Sequence, residues 1–466
     1  MDTPRIERYD RQNGFDALAI NPVSGTPGIL NFARQNGVSR YAHDFDKNNF
    51  APRIGFAWRP IGEHTVLRGA YGIMQGPIYD TSMANVMMAG FGKIRNFSSP
   101  DNGLTPAFLL NSGIPALPAE PLGPGFRAVP VGQAVRLSPE FLDKNYKNTY
   151  AHHISFNVQR QLPGNLLLDA GYLGNLAHNV GSRATNINEV RPELRGATQN
   201  QRLRPVPQFG NVSLVQAAWG NSSYNAFSVK VEKRFSAGLN LLSSYTWAKF
   251  LDDVEAQSEA GGAPGAGIQS VYARALDKSF SGNDVRHRWV ASFVYELPVG
   301  RNKRLRTINP LLDAVAGGWS LGMISELRSG LPYGVAEQTN RLNAFSPAQR
   351  PNRISDQKIE GSRSRGDLIR QYFNTAAFAA PAAGVLGTSA RNVGHGPGLV
   401  NFEMSLLKDF HLTESKYLQL RGEFFNVLNR PNFGLPNTSR GNAAFGQIGN
   451  TANDGRFIQI GLRFVY

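Results

Sequence analysis

Apolar and polar residues alternate along much of this chain, and that period of two sets out its elements. The clearest stretch is Arg456–Tyr466: Ile458, Ile460, Leu462, Phe464 and Tyr466 fall on one face, and Gln459, Gly461, Arg463 and Val465 on the other, with Phe457 at the start. Side chains alternate across a β-strand. This strand therefore has one unbroken apolar face over about nine residues, the length a tilted strand needs to cross a bilayer.

Ten further strands follow from the same rule. Arg53–Arg59 (Ile54, Phe56 and Trp58 on one face) and Thr65–Ile73 (Leu67, Tyr71 and Ile73 opposite Arg68) flank a short turn. His152–Gln159 and Leu166–Tyr172 flank the turn Leu162–Asn165. Phe227–Phe235 and Leu239–Trp247 flank Ser236–Gly238; pairing about Ala237 sets Phe227 beside Trp247 and Val229 beside Tyr245. Such an aromatic cluster at one end of the strands suits a membrane-interface girdle. Lys233 interrupts the apolar face there, close enough to the turn to snorkel into the headgroups. Trp289–Leu297, Trp319–Arg328, Phe402–Leu407 and Leu418–Phe424 complete the set. Residues 1–52 are turn-rich and aperiodic and are expected to form an outer loop; residues 53–466 form the barrel part.

Links of about three to twenty residues alternate with links of about 30 to 80, the asymmetry of barrels with short periplasmic turns and long outer loops. The final strand then descends toward the periplasm. A count of eleven is odd, whereas whole bacterial barrels have even strand numbers; half of a barrel of about 22 strands, the plugged-lumen class, fits. The expected fold class is all-β: part of a transmembrane antiparallel β-barrel, with two open edges near residues 53–59 and 456–466.

Composition agrees. Charged residues are 18% of the 466, and glycines number 49, against roughly 25% charged and about 7% glycine in soluble proteins. No apolar run approaches the roughly 18 residues of a membrane helix, so a membrane reading requires a closed sheet. The absence of cysteine excludes a disulfide framework and a thiolate metal site, and suits folding after an oxidising periplasm. Met1–Arg8 shows no signal-peptide pattern, which for an outer-membrane protein leads us to expect a truncated N-terminus. The net charge of +15 comes from scattered Lys and Arg. That argues against a nucleic-acid partner and for a basic lumen or rim that attracts anionic lipopolysaccharide or an anionic solute.

Several blocks resemble the Oar-like branch of TonB-dependent outer-membrane receptors. They are Pro52-Arg-Ile-Gly-Phe-Ala-Trp-Arg-Pro60, Leu67-Arg-Gly-Ala-Tyr-Gly72, Ser244-Tyr-Thr-Trp-Ala-Lys249 with Leu251-Asp-Asp253, Asp284-Val-Arg-His-Arg288, Tyr372-Phe-Asn-Thr-Ala-Ala-Phe378, Arg391-Asn-Val-Gly-His-Gly-Pro-Gly398 and Glu423-Phe-Phe-Asn-Val-Leu-Asn-Arg-Pro-Asn-Phe433. The resemblance covers nearly the whole chain and its specificity lies in the order of the blocks. It implies a barrel of about 22 strands, an N-terminal plug preceded by a carboxypeptidase-regulatory-like domain, coupling to the TonB complex, and assembly by the barrel-assembly machinery through the C-terminal strand. The chain departs from the pattern at its front, where plug, TonB-contacting segment and first half of the barrel are missing. It is expected to be the C-terminal half of such a receptor, in the outer membrane of a Gram-negative bacterium.

No enzymatic chemistry and no cofactor are expected. Asp284, Arg286, His287 and His395 invite a catalytic reading, but Asp284–His287 sits where a long loop enters a strand and suits rim hydrogen bonding. His152 and His153 are adjacent on a strand and point to opposite faces, so they cannot share a metal. Gly261–Gly267 is followed by no Lys-Ser/Thr and is no P-loop. The polar residues Arg68, Lys230, Glu232, Arg234, Glu326, Arg328, Glu403, Arg421, Glu423 and Arg463 share one parity; they are expected to line the lumen, pair across strands and meet the plug. Phe227, Tyr245, Trp247, Leu420, Phe424, Ile458, Ile460, Leu462, Phe464 and Tyr466 are expected to face lipid. The function expected is energy-coupled uptake of a solute that the sequence does not identify, with a carbohydrate or a peptide as candidates, captured by loops near residues 75–148, 175–222, 251–286 and 335–399. The alternatives are a passive porin or structural outer-membrane protein, and a secreted soluble all-β protein.

Overall fold

The computed structural model describes residues 4, 6–76, 89, 91, 97–115, 121–134, 137–182, 185–254, 268–300, 303–307, 309–346, 349–413 and 415–466; the glycine-rich stretch 261–267 lies outside them. Eleven long strands make one sheet: β1 (Arg53–Trp58), β2 (Thr65–Gln75), β3 (Tyr150–Leu162), β4 (Leu166–Gly181), β5 (Ala218–Ser236), β6 (Leu239–Asp252), β7 (His287–Glu296), β8 (Trp319–Arg328), β9 (Leu399–His411), β10 (Tyr417–Phe425) and β11 (Phe457–Val465). Each pairs antiparallel with the next in chain order, and Ser279–Phe280 adds a short rung to β6. These are the eleven strands that the alternation predicts.

Local chemistry explains the sharp ends. Ala237 and Gly238 have φ of 51° and 79°, the pair of left-handed residues that a two-residue type I′ hairpin requires. A Cβ at Gly238 would also lie 2.8 Å from the Glu296 carbonyl oxygen. The hairpin keeps Phe227 opposite Trp247 and Val229 opposite Tyr245, as expected, with a bulge between Lys233 and Ser236. Gly69 stands opposite Phe56, whose ring covers it so closely that an added Cβ would meet it at 2.3 Å. An aromatic side chain thereby shields bare backbone.

Two regions differ from the sequence reading. Residues 1–52 hold a hairpin, Asn13–Ile20 against Pro27–Phe32, where loop was expected; Gly and Pro residues between short apolar runs mask it. Strands β4 and β5 run on to Gly181 and from Ala218, through a stretch read as loop. There both faces are partly covered by loops, so the alternation fades while the ladder continues.

The connections at one end of the sheet are short (59–64, 163–165, 237–238, 412–416), apart from 297–318, which holds a helix, Pro310–Ala316, capped by Asn309 accepting the Leu311 N–H. At the other end they are long (76–149, 182–217, 253–286, 329–398 and 426–456). No ladder joins β1 to β11 among the described residues. All six residues of β1 are exposed, as are seven of the nine in β11. The clusters of buried apolar residues, such as Phe32–Phe209 and Tyr333–Phe373, lie in the long connections and the N-terminal segment. The eleven strands enclose no dry core of their own among the described residues.

Candidate functional site: two sheet faces and a loop layer

The register carries the parity of each strand unchanged across the sheet. One rung reads Trp58, Leu67, Val158, Ala170, Val229, Tyr245, Trp289, Leu327 and Val400 across nine strands, apolar throughout. The next rung, on the opposite face, reads Ala57, Arg68, Asn157, Gly171, Ser228, Thr246, Arg288, Arg328 and Leu399. A one-residue slip anywhere would have exchanged the faces; none occurs along these rungs. Large apolar side chains stand bare on the first face, with Ile54 72%, Ile460 77% and Leu462 67% exposed.

Phe227, Tyr245, Trp247, Leu420, Phe424, Ile458, Ile460, Leu462 and Phe464 all fall on that apolar face. Tyr466 lies one residue beyond β11 and no ladder assigns it a face. Arg68, Lys230, Glu232, Glu326, Arg328, Glu403, Arg421, Glu423 and Arg463 fall on the other face. Arg234 lies past the bulge, but its guanidinium is 3.9 Å from Glu232 and so joins the same face.

The expected pairing across strands is corrected by the structure. Lys230–Glu232 (3.2 Å), Arg328–Glu326 (3.9 Å) and Arg421–Glu423 (2.8 Å) join residues two apart on one strand; Arg288–Glu326 (2.9 Å) crosses to the neighbour. The reason is what stands opposite each charge. Glu232 faces Leu167 and Leu242, Arg421 faces Leu407 and Gly461, and Glu403 faces Ile324. Lys230 does face Asp169, but that carboxylate already accepts from Asn157 and Gln159. Arg288 and Asp169 belong to the polar set and follow the same parity rule.

Cations also occur on the apolar face, near its ends. Lys233 donates to the Gly164 carbonyl and to Ser236, consistent with a side chain held at the turn. Lys408, beyond the part of β9 read from the sequence, is 2% exposed: it sits 5.8 Å from the Trp319 ring and 4.9 Å from Phe410 and donates to the Gly317 carbonyl. Two π faces and a carbonyl replace its water.

Above the long-connection end, the loops interlock. The hairpin 13–32 inserts Leu30 and Phe32 among Phe126, Phe141, Phe209 and Leu214, joining the N-terminal segment to connections 76–149 and 182–217. Val190 packs with Leu342 and Ala344, and Tyr333, Phe373 and Phe378 take up Leu435 and Phe445 from connection 426–456. Buried polar contacts run between the same segments. Arg350 and Asp277, both wholly buried, meet at 2.8 Å; Arg391 pairs with Asp252, and burial pushes that guanidinium down to about 10. Glu189, 1% exposed, accepts from the Ser270 hydroxyl at 2.8 Å and the Val271 N–H at 3.3 Å, with Arg195 at 4.0 Å. Burial outweighs those partners and raises its carboxyl to about 7. Nothing in the sequence pattern signals these pairs, whose members lie 73 to 139 positions apart in the Arg350 and Arg391 cases.

The residues with a possible chemical role serve the rim. Asp284 is buried, accepts the Phe250 N–H at 2.7 Å and meets His395 Nε2 at 2.9 Å. Arg286 lies over the Phe280 ring, and His287 Nδ1 bonds the Tyr245 hydroxyl. No hydroxyl bonds the His395 imidazole among the described residues, so this His–Asp pair has no nucleophile to activate. His152 and His153 point to opposite faces, one against Tyr71 and the other against Asn175. No group of three His, Asp or Glu that could hold a metal occurs among the described residues.

Residues 1–459 match the family described as "Outer membrane beta barrel domain". Among curated proteins no match is found. Solved structures with a similar course of the chain include the FrpB iron transporter from Neisseria meningitidis (12% identity, 89% of this chain and 39% of that one, TM-score 0.41). The ferric-catecholate import receptor Fiu from E. coli (10%, 89% and 34%, 0.38) and the outer membrane transporter YddB from Escherichia coli (8%, 87% and 39%, 0.40) are others. The chain thus spans well under half the length of these proteins. The family match covers almost the whole chain and agrees with the mostly-β architecture: this chain belongs to the outer membrane beta-barrel domain family, a protein of the outer membrane.

Proposed function

We propose that the chain is the C-terminal part of the barrel of a TonB-dependent receptor of the Oar-like branch, which takes up a solute captured at its long loops. The observation that carries this reading is the division of labour in one sheet: apolar rungs on one face, charged rungs on the other, and an interlocked loop layer at one end only. The apolar face meets lipid and the charged face lines the lumen, where it meets a plug. A lipid-facing Lys or Arg at mid-membrane would cost about 2–4 kcal/mol, which accounts for the confinement of apolar-face cations to the strand ends.

The open edges support a larger barrel. Eleven alternating strands leave β1 and β11 running the same way, so they cannot pair antiparallel with each other. A ring of alternating strands through both edges needs an odd number of others. The TonB complex, outer-leaflet lipopolysaccharide and the barrel-assembly machinery are the partners this reading implies.

Uptake in cells expressing the complete receptor of which this chain is the C-terminal part, plug included, tests it. Solute accumulation should stop when a protonophore collapses the proton-motive force or when TonB is deleted. Accumulation that persists under both would instead identify a passive pore.

A further inference from the structure

Connection 329–398 holds a cavity of about 530 Å³ lined by its own residues, among them Tyr333, Tyr372, Phe373, Leu368 and Arg363. It adjoins β8 and β9, since Pro332–Tyr333 pairs with Gly394–His395 just beyond the strand ends. Its wall is aromatic: the Tyr333 and Phe373 rings stack at 5.2 Å and the Tyr372 ring stands edge-on to Tyr333 at 6.3 Å. Tyr372 spends its hydroxyl on the His395 carbonyl. Tyr333 is 3% exposed, and its hydroxyl has no hydrogen-bond partner among the described residues.

Arg363 stands at the same cavity with a charge that no carboxylate answers among the described residues. It donates through Nη1 to the Tyr372 carbonyl and through Nη2 to the Asp367 and Gln371 carbonyls, closing the helix Arg365–Arg370. Its Nε–H and one Nη1 N–H have no partner among the described residues. The nearby acids are engaged elsewhere: Asp367 with Arg370 and Ser364, Glu360 with Lys358. A half-buried cation without a counter-ion, an unpartnered phenol and an apolar wall together define a complementary ligand. An anionic head answers the guanidinium and accepts from the hydroxyl, while an apolar body covers the rings.

We propose that this cavity binds a small carboxylate bearing an apolar group. Such a group belongs equally to a free aromatic acid and to the C-terminal residue of a peptide. That the bound acid is the solute being captured rests on the function proposed above; the binding itself does not.

The test is equilibrium binding to the detergent-solubilised chain, using phenylacetate, N-acetylphenylalanine and its neutral amide as probes. N-acetylphenylalanine should bind roughly tenfold more tightly than the amide, the scale of one charge-assisted hydrogen bond. Arg363→Gln should erase that preference. Tyr333→Phe, which removes a hydroxyl with no partner in the protein, should weaken binding about three- to tenfold with an unchanged melting temperature. Tighter binding of N-acetylphenylalanine than of phenylacetate would mark a peptide site, and the reverse a free-acid site. Equal affinity for acid and amide, or a Tyr333→Phe variant that binds as well as the parent, would overturn the proposal. Binding without energy-dependent uptake would leave the cavity standing and remove the transport reading instead.

Discussion

The sheet and the loop layer of this protein are stabilised by opposite means. In the sheet, backbone groups inside the two edge strands pair with the strand next door, apolar side chains fill one face, and charges lie on the other apart from a few near the strand ends. In the loop layer, apolar side chains point inward and charges are buried as pairs such as Arg350–Asp277 and Arg391–Asp252. Lipid can solvate the first arrangement, and water the outside of the second. A single chain can therefore hold both only by keeping them at separate heights. The contrast also says where a mutation hurts: in the sheet by its face, in the loop layer by its partner.

The largest expected effect is Asp277→Ala. It leaves the Arg350 guanidinium, wholly buried, with little more than the Leu276 carbonyl at 3.3 Å. Removing one member of a buried pair costs about 3–5 kcal/mol. Connections 253–286 and 329–398 should become protease-sensitive while the β signal in circular dichroism persists. Simultaneous loss of both signals would show that the loop layer and the sheet fold as one unit.

Next is Val229→Arg, on the apolar rung of β5. It should cost about 2–4 kcal/mol if the site lies near mid-membrane and remove the protein from the outer-membrane fraction. Ser228→Arg, one residue away between Gly171 and Thr246, should be tolerated; Leu420→Arg and Gln419→Arg should part the same way. Equal tolerance at both members of either pair would sink the assignment of the lipid face.

This pair of substitutions also shows what could be read from the sequence and why. Val229 and Ser228 are told apart by parity alone, because a membrane demands a strict apolar repeat and a ladder passes that repeat from strand to strand. The hairpin register at Ala237 was legible for the same reason. Asp277 and Arg350 obey no repeat: they lie 73 positions apart on two irregular connections, and only the folded loops bring them together. The hairpin 13–32 falls between these cases. Its Leu30 and Phe32 do alternate, but over too few residues, and among too many Gly and Pro, to stand out from loop. The charged face was legible as a set but not as pairs, since pairing depended on which neutral residue stood opposite each charge.

A smaller, pH-dependent effect separates the regions again. Glu189 has its carboxyl raised from 4.5 to about 7 by burial, so it holds its proton more tightly in the folded loop layer than in the unfolded chain. Its contribution favours folding below pH 4.5 and is withdrawn as pH climbs through about 7, at most by about 3 kcal/mol. Proteolysis of connections 182–217 and 253–286 should speed up over that window, and Glu189→Gln should flatten the dependence. A loop layer equally resistant at pH 5 and pH 8 would contradict the buried setting of this carboxyl.

The smallest effect expected is that of Arg288→Ala, and it is the sharpest test of what covers the charged face. Arg288 and Glu326 meet at 2.9 Å with their side chains 55% and 33% exposed. In water such a pair is worth roughly 0.2–1 kcal/mol, because each ion keeps most of its hydration and the geometry is bought with side-chain entropy. The urea midpoint should move little, and less still in high salt, where screening has already weakened the attraction. A loss as large as that of Asp277→Ala would mean that Arg288 is desolvated in the assembled protein. The charged face would then be packed against another body and not open to a wet lumen, and the difference between sheet and loops would shrink to one of position.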